Sequence, residues 1–307
     1  MKLENAFNKI NKEYFEKGMK EAVERINKIK IKDYPLVSVI IPTFNVKRTI
    51  EICVNSILNQ TYKNIEIIVN DANSNDGSIE IIKKFENVKL VFENKNRTQA
   101  RNYAVKLSKG EYLFHIDSDM ELSDILIEEC VKLCLCEKYD ALIVPEISVG
   151  KTFWGLCRAL EKLSFLNDKY MESANRFISR KAYLAINGYD ESLTAGEDFD
   201  IHQRLLQNNF KIGRAAAFIK HYEVLSLFEI WKKGYIYGRT FNPYIKKYPV
   251  LTGKQFFIIR PAYIRNWKLF LKHPILTAGL IFMKGIMYFF TLTGIIITFI
   301  SGRHKKT

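Results

Sequence analysis

The hydrophobic residues of the first half of this chain form short β-branched runs separated by helical patterns. The run at 37–41 stops at Pro42, and the stretches between runs carry apolar residues three and four positions apart. Such runs are typical of buried strands, and the wider spacing is typical of helices packed on one face. Their strict alternation predicts an α/β fold with a mostly parallel sheet and helices on both faces. The predicted strands are 37–41, 65–69, 88–92 and 112–116, with helices at 50–58, 78–86 and 97–108 between them.

The pattern changes on both sides of this alternating region. Apolar residues recur every three to five positions over 3–30, which predicts an amphipathic helix. This helix could pack on the main domain, on a partner or on a membrane face. After about residue 145 the alternation weakens, and the aromatic, basic tail is divided into short helices by prolines. Later elements are predicted as helices at 152–166 and 198–209 and a strand, or its start, at 177–183. The predicted divisions are an N-terminal helix (1–34), a main domain (35–225, with halves 35–120 and 121–225) and a helical tail (226–307).

Polar residues follow three of the four predicted strands. Thr43 and Asn45 follow the first strand, Asp71 follows the second, and Asp117 and Asp119 follow the fourth. Ligands of open parallel sheets bind beyond the carboxyl ends of the strands, so these residues are the first candidates for chemistry. Each of them alone is more readily explained as a turn or helix-cap residue, because those uses are common. The Asp-x-Asp pair is more specific, because two such carboxylates can share a divalent cation that also bridges phosphate oxygens.

Five segments, taken in order, carry a specific resemblance to a known family. They are VSVIIPTFN at 37–45, IIVNDANSNDGS at 67–78, ARN at 100–102, GEYLFHIDSD at 110–119 and NGYDESLTAGEDFD at 187–200. In sequence and spacing they resemble the family-2 glycosyltransferases over about residues 36–225. The resemblance implies the GT-A fold. It also implies transfer of a sugar from a nucleotide-sugar donor to an acceptor with inversion at the anomeric carbon.

The resemblance further implies which residues bind the donor. Pro42, Thr43 and Asn45 would lie against the base and ribose of the nucleotide. Asp71 would accept a hydrogen bond from a uracil-type base, and Arg101 would lie near the nucleotide or its phosphates. Asp71 thus favours a UDP-sugar, while GDP and dTDP donors stay open.

The metal and the general base are implied in the same way. Asp119 would hold Mn²⁺ or Mg²⁺, and Asp117 would face the ribose or share the metal. His221 would complete the metal site, or it has only a structural role, as lone histidines more often do. Glu197 and Asp198 lie near the acceptor, with Asp198 matching the base that takes the proton of the attacking hydroxyl. The alternative for this pair is a helix N-terminus that favours negative charge, and both interpretations can hold together.

Two departures from the family pattern refine the expected activity. Asn70 stands where many members carry a further Asp, which we take as harmless because Asp71 keeps the principal role. No Gln-x-x-Arg-Trp motif follows Asp198, although this motif marks the processive synthases of cellulose, chitin and hyaluronan type. The resemblance therefore implies transfer of a single sugar.

The positive charge of the chain is concentrated in its last part. The formal net charge is +14, and residues 220–307 contribute +13 of it, with eleven Lys and four Arg against two Glu. The same part holds the longest apolar stretch. A basic, aromatic and apolar segment is typical of attachment to anionic lipid, so we expect membrane lipid rather than nucleic acid as a partner.

The apolar stretch at 275–300 is interrupted only by Lys284. A helix pair that turns near Lys284 or Gly285, either re-entrant or lying in the interface, and one tilted span are equally compatible with it. A buried helical hairpin of a soluble oligomer is a third interpretation, which leaves a homo-oligomer open. Basic residues on both flanks predict a membrane-associated protein with its catalytic domain on the cytoplasmic side. A membrane-bound tail favours a glycan or polyprenyl-linked acceptor.

Two other functions compete with sugar transfer. A membrane-attached protein could retain the fold only as a nucleotide or glycan binding module, but the presence of Asp71, Asp119 and Asp198 counts against it. A nucleotidyltransferase could use a similar sheet. However, no Gly-rich phosphate loop follows the first predicted strand.

Overall fold

The computed structural model confirms the predicted α/β class. It describes residues 2–93, 96–150, 152–168, 170–172, 174–223, 226–256 and 260–303, with only the backbone described for 2–10, 223, 256 and 299–303. The predicted domain boundary at residue 225 lies outside these residues. Two sheets, both with helices packed against them, make up the main domain.

Ten strands form the two sheets. They are β1 (Val37–Thr43), β2 (Ile65–Asp71), β3 (Val88–Phe92), β4 (Tyr112–His115), β5 (Met120–Leu122), β6 (Ala141–Ile143), β7 (Glu146–Gly150), β8 (Asn175–Ser179), β9 (Ile212–Arg214) and β10 (Ile219–Glu223). The larger sheet has the order β3-β2-β1-β4-β8-β6-β9, and the smaller one has the order β5-β10-β7. The four predicted strands are therefore present as the first four strands of the larger sheet.

Fourteen helices are described. They are α1 (Lys2–Lys28), α2 (Ile50–Leu58), α3 (Ser78–Ile82), α4 (Arg97–Lys106), α5 (Leu126–Glu137), α6 (Phe153–Ser164), α7 (Arg180–Ala185), α8 (Glu197–Gln207), α9 (Leu227–Thr240), α10 (Asn242–Lys247), α11 (Pro249–Phe256), α12 (Pro261–Arg265), α13 (Trp267–Lys272) and α14 (Pro274–Arg303). Prolines stand at or next to the starts of α10, α11, α12 and α14, as the sequence predicted.

The middle of the larger sheet is buried on both faces. Val39 and Ile41 of β1 belong to one core with α2 and α5, whereas Ile40 belongs to a second core with α4, α7 and α8. Successive side chains of a strand point to opposite faces, so an unbroken apolar run serves two helix layers at once.

The strand register brings the predicted polar residues to one edge of the sheet. β1 is parallel to β2 and β4, and Thr43 lies opposite Asp71. The sheet is not parallel throughout, because β8 runs antiparallel to both β4 and β6. The stretch predicted as a strand at 177–183 ends as a strand at Ser179, whose side chain caps α7 by accepting from Ala182 N.

The smaller sheet positions His221. This residue of β10 lies opposite Met120 of β5 in an antiparallel pairing and opposite Ser148 of β7 in a parallel one. Because Met120 directly follows Asp119, this pairing brings together two residues that are 102 positions apart.

The N-terminal helix α1 packs on the main domain, one of its three predicted locations. Ala22 is buried in the first core, and Arg25 Nη1 donates to the buried carboxylate of Glu129 at 3.0 Å. Glu129 also accepts from the backbone N–H groups of Ala216 and Ala217. One carboxylate therefore joins α1, α5 and the strand connection before β10.

The tail shares a core with the main domain. Leu160 and Leu163 of α6 pack with Leu276, Leu280 and other residues of α9 and α14. Of the interpretations of the apolar stretch, the helix pair with a turn near Lys284 or Gly285 is wrong, since α14 is one continuous helix through that position. Lys284 faces inward, where its Nζ lies 2.8 Å from Glu161 Oε1 of α6. The ion pair thus removes the reason for a turn there.

Helices α9 and α14 approach each other through glycines. A Cβ atom at Gly234 would lie 2.9 Å from the carbonyl oxygen of Met287, and one at Gly238 would overlap the carbonyl oxygen of Thr291. Gly294 of α14 is equally close to the α9 backbone. Small residues at such positions let two helix backbones come into direct contact.

The outer face of α14 is exposed and apolar. Ile281 and Phe289 are 68% and 63% exposed, and Leu292 and Ile296 lie on the same side. Among the described residues, α14 is the one helix long and apolar enough over 274–298 to cross a membrane, by length and composition alone.

Candidate active site

The ends of β1 and β2 form a hydrogen-bonded cradle around Asp71. Thr43 Oγ1 donates to Asp71 Oδ2 at 2.7 Å, and Ser74 donates to Asp71 through both its backbone N–H and its hydroxyl at 2.7 Å. Asn45 closes the cradle, because its N–H donates to Ser74 Oγ and its side-chain oxygen accepts from Asn75 N. Pro42, the strand's penultimate residue, is half-buried. The predicted base-binding residues are thus brought together.

Asp117, directly beyond β4, lies among three arginines. Its Oδ1 accepts from Arg101 Nη2 at 2.6 Å, and its Oδ2 lies 3.5 Å from Arg176 Nη2. Arg97 Nη1 is 4.0 Å from Oδ1. Burial alone would raise the pKa of Asp117, but the guanidiniums of Arg101, Arg176 and Arg97 hold it well below its ordinary value. Asp117 is therefore an anion, and both of its oxygens already face cations.

Glu197 and Asp198 open helix α8. Gly196 precedes them with a φ of 80°, a left-handed conformation that favours glycine, and turns the chain into the helix. Glu197 is buried and paired with Arg97, whereas the Asp198 side chain is 34% exposed with Oδ1 3.6 Å from Arg101 Nη1. Burial, and next the charge of Asp198, raise the pKa of Glu197. Of the two carboxylates, Asp198 is the one open to a substrate.

His221 bridges two carboxylates. Its Nε2 is 3.1 Å from Asp119 Oδ2, and its Nδ1 is 3.2 Å from Glu146 Oε2 and 2.8 Å from Lys162 Nζ. Burial and the Lys162 charge would lower the pKa of His221, but the hydrogen bonds to Asp119 and Glu146 raise it above its ordinary value. Arg176 then bonds Glu146 at 2.5 Å, which connects this group to Asp117.

The residues at this edge fit a divalent ion with two protein ligands. Asp119, with 40% of its side chain exposed, and the adjacent Nε2 of His221 offer an oxygen and an imidazole nitrogen, donors that Mn²⁺ accepts. Within the described part of the chain, no group of three or more His, Cys, Asp or Glu residues is arranged to hold an ion. The arginine contacts of Asp117 do not favour it as a further ligand. An ion here would need oxygens from a bound diphosphate.

A cavity of about 350 Å³ brings the predicted acceptor-side residues together with residues predicted for the ribose and the metal. Asp117, Glu197, Asp198 and His221 line it, together with Arg97, Arg176 and Glu146. Arg101, predicted near the phosphates, is fully buried beneath this cavity wall, with its Nε lacking a hydrogen-bond partner among the described residues.

Sequence reasoning missed three residues of this site, namely Arg97, Arg176 and Glu146. Arg97 had a usable signal, because it stands four positions before Arg101 on one predicted helix, where two such residues share a face. Arg176 and Glu146 had none, since the antiparallel strand β8 and the second sheet place them.

The matched family agrees with the geometry. Residues 38–186 match the family described as Glycosyl transferase family 2. Together with the fold, this match supports a glycosyltransferase of family 2, as the five motifs predicted. The matched stretch contains Asp71 with its hydrogen-bond donors, Asp119, and the three arginines around Asp117, namely Arg97, Arg101 and Arg176.

Individual proteins show the same relationship. The chain is 44% identical over 88 residues to WfaP of Escherichia coli, a UDP-Glc:α-D-GlcNAc-diphosphoundecaprenol β-1,3-glucosyltransferase. The aligned region covers 27% of this chain and 35% of that protein. The chain spans about a third of the length of the curated relatives it matches.

Solved structures confirm the GT-A fold. The mannosyltransferase PcManGT of Pyrobaculum calidifontis, in complex with GDP-Man and Mn²⁺, aligns with a TM-score of 0.58 at 16% identity over 96% of this chain and 99% of its own. Residues 1–349 of S. aureus TarS in complex with UDP align with a TM-score of 0.52 at 18% identity over 86% of this chain and 89% of their own.

Proposed function

We propose that this protein is an inverting glycosyltransferase that moves one sugar from a nucleotide-sugar, a UDP-sugar by our assignment, to a lipid-linked glycan at a membrane surface. The observation that carries the proposal is the cavity in which Asp198, partly exposed, faces the same space as Asp117, Arg97 and His221. An acceptor hydroxyl and a diphosphate leaving group need to meet in one such space.

Asp198 is the general base of the proposed reaction. Its carboxylate takes the proton of the acceptor hydroxyl as that oxygen attacks the anomeric carbon from the face opposite the leaving group. The buried charge of Arg101 holds Asp198 in place at 3.6 Å. Glu197, paired with Arg97, is a positioning residue in this scheme.

Charge on the departing diphosphate is stabilised from two sides. Arg97, with 46% of its side chain exposed, presents a guanidinium to the cavity and suits phosphate oxygens. Asp119 and His221 would hold Mn²⁺ or Mg²⁺, which when bound neutralises the diphosphate as the glycosidic bond breaks. Asp117 keeps Arg97, Arg101 and Arg176 in position.

The Asp71 cradle supports a nucleotide with a hydrogen-bonding base edge. Asp71 is an acceptor with fixed orientation, because Thr43 and Ser74 hold both of its oxygens. A carboxylate suits the N3–H of uracil. Two similar proteins carry UDP or UDP-Glc in their descriptions, and one carries GDP-Man. We assign UDP on the strength of Asp71.

The membrane part of the proposal rests on α14. Its inner face packs on α6 and α9 along its length while its outer face is apolar and exposed. A helix covered on one side by a polar domain favours a position in the plane of the interface over a perpendicular span. The similarity to WfaP, named for a diphosphoundecaprenol-linked acceptor, supports an acceptor in the same membrane.

Donor turnover tests the proposed function. The full chain in detergent with Mn²⁺ is offered UDP-, GDP- and dTDP-sugars together with lipid-linked sugar acceptors, and release of nucleoside diphosphate is measured. We expect acceptor-dependent release from a UDP-sugar. Release from a GDP-sugar instead would overturn the UDP assignment. Absence of release from every donor, with the protein shown folded by its thermal transition, would overturn sugar transfer.

A further inference from the structure

The cavity that contains Asp198 extends to a group of cations supplied by α6 of the main domain and by the tail. Arg158 of α6, Arg260 before α12 and Lys284 of α14 line the same cavity as Asp198 and Asp117. We call Arg158, Arg260 and Lys284 the basic cluster. None of its members takes part in the proposed chemistry at the anomeric carbon.

The basic cluster surrounds a single buried carboxylate. Glu161 Oε1 lies 2.8 Å from Lys284 Nζ and 3.4 Å from Arg260 Nη1, and it also accepts from Tyr263 Oη at 2.6 Å. Arg158 bonds the other oxygen of Glu161. Arg260 and Lys284 therefore share one oxygen atom, although their side chains are only 5% and 10% exposed.

Positive charge in this place exceeds what Glu161 neutralises. Moving a charge out of water costs several kcal/mol unless an opposite charge and hydrogen bonds compensate it. Arg260 Nε has no hydrogen-bond partner among the described residues, although this side chain is buried. The Cζ atom of Arg260 also lies 5.0 Å from the centroid of the Phe165 ring and 5.8 Å from that of Tyr263, but a ring face carries no formal negative charge. Arg260 and Lys284 are therefore the candidate ligands for a second anion.

We propose that the basic cluster binds the phosphate or diphosphate that joins the acceptor's sugar to its lipid chain. The proposal rests on the proposed function and adds the chemical group that the acceptor must carry. It places the acceptor's sugar hydroxyl at Asp198, its phosphate at Arg260 and Lys284, and its hydrocarbon along α14. Ile281 and Phe282, which directly precede the inward-facing residues Met283 and Lys284, are exposed on that helix.

A phospholipid headgroup carries the same phosphate chemistry and is the other source of such an anion. The position of the basic cluster favours the acceptor, because the cluster lines a cavity together with Asp198 rather than an outer surface. Arginine and lysine side chains also suit a diphosphate, because its several oxygens can accept hydrogen bonds from both cations at once.

Binding of an isoprenyl diphosphate tests the proposal without sugar transfer. Farnesyl diphosphate and farnesol are titrated calorimetrically into the full chain in neutral detergent micelles, with UDP and Mn²⁺ present so that the donor side is filled. Two charge-assisted contacts should make the diphosphate bind at least about tenfold more tightly than the alcohol. Equal affinities would overturn the proposal.

Variants locate the site. Lys284→Met should weaken the binding of farnesyl diphosphate about tenfold. Because this change leaves Glu161 with one partner fewer, the double variant E161Q/K284M, which removes both charges of the pair, is measured beside it and should show the same loss. Lys246→Met, a matched loss of an exposed lysine on α10, is the control and should bind as the wild type does.

Retention of the full diphosphate preference in E161Q/K284M would overturn the proposal. So would displacement of farnesyl diphosphate by phosphatidylglycerol added to the micelles, since a lipid headgroup would then be the occupant. A negative result in these titrations says nothing against donor turnover, and a negative result in donor turnover does not change the titrations. The two experiments can therefore overturn the two proposals independently.

Discussion

The donor side and the tail side of the cavity are built in different ways. On the donor side, Asp71 is held by Thr43 and by Ser74, three residues further along the chain. On the tail side, Glu161 is held by residues about a hundred positions away, Arg260 and Tyr263, and by Lys284. Hydrogen bonds between the ends of two neighbouring strands fix one side, and ion pairs between residues about a hundred positions apart fix the other.

The difference concerns what each side must recognise. The base of a nucleotide is rigid and planar, and two strand ends whose hydrogen bonds to each other are already made can be preorganised for it. The tail side joins a polar cavity to an apolar outer surface, so it is assembled from helices that contribute both. Its ion pairs attach an apolar helix to the domain at one defined rotation, with Lys284 inward and Ile281 outward.

The largest effect is expected where the two sides meet, at Asp198. Asp198→Asn removes the proposed base while keeping size and packing, so the rate of transfer should fall by about 10²- to 10⁴-fold. Binding of the UDP-sugar, measured by calorimetry, should stay within about twofold. The matched control is Asp124→Asn, an exposed carboxylate at the start of α5. Transfer at the wild-type rate by the Asp198→Asn protein would show that another group takes the proton.

The next effect concerns the outer face of the tail. Ile281→Glu places a charge on the exposed apolar stripe of α14 and should lower binding to lipid vesicles by about ten- to hundredfold, since burying one such side chain contributes about 1.5–3 kcal/mol. Leu184→Glu on α7, 57% exposed on the main domain, is the control and should leave binding unchanged. Co-flotation with vesicles measures both. Equal flotation of all three proteins would argue against attachment through α14.

A smaller effect separates the two helices of the tail. Gly238→Ala forces a Cβ against the Thr291 carbonyl oxygen and should destabilise the protein by about 1–3 kcal/mol, as overpacking does. Gly253→Ala in α11 meets no atom within 4 Å and should be neutral or stabilising by up to about 1 kcal/mol. Urea unfolding measures both. A Gly238→Ala protein as stable as the Gly253→Ala protein would mean that α9 and α14 do not touch.

The smallest effect depends on pH. Burial would raise the pKa of Glu161, but Lys284, Arg158 and Arg260 hold it well below its ordinary value. A carboxylate whose pKa is lower in the folded state than in the unfolded state stabilises the fold at pH values above its unfolded pKa, about 4.3 for Glu. That contribution is lost progressively as the pH falls below this value. The free energy of unfolding of the Glu161→Gln protein should therefore fall less steeply than that of the wild type between about pH 4.5 and 3. If the wild type and the variant lose stability in parallel there, Glu161 is not the carboxylate responsible.

The sequence predicted the donor side more fully than the tail side. β1, β2 and the position of Asp71 followed from local runs and their ends, because a parallel strand and its loop are encoded within a few residues. Arg176 and Glu146 were missed, since an antiparallel strand and a second sheet bring them in. The choice between a helix pair turning at Lys284 and one continuous helix stayed open for the same reason, because the partner of Lys284, Glu161, lies 123 positions earlier.

Besides the α14 residues Lys284 and Met287, helix α9 lines the cavity. On one side it contributes Lys233 and Tyr237 to the cavity lining, and on the other its glycines lie directly on the α14 backbone. Because these glycines bring the two backbones into direct contact, and Trp231 of α9 stacks on Phe290 of α14, movement of α14 would be transmitted to that wall. If α14 rests on a bilayer as proposed, the width of the cavity is mechanically coupled to that bilayer. The lateral pressure and the thickness of the lipid would then change the width of the cavity.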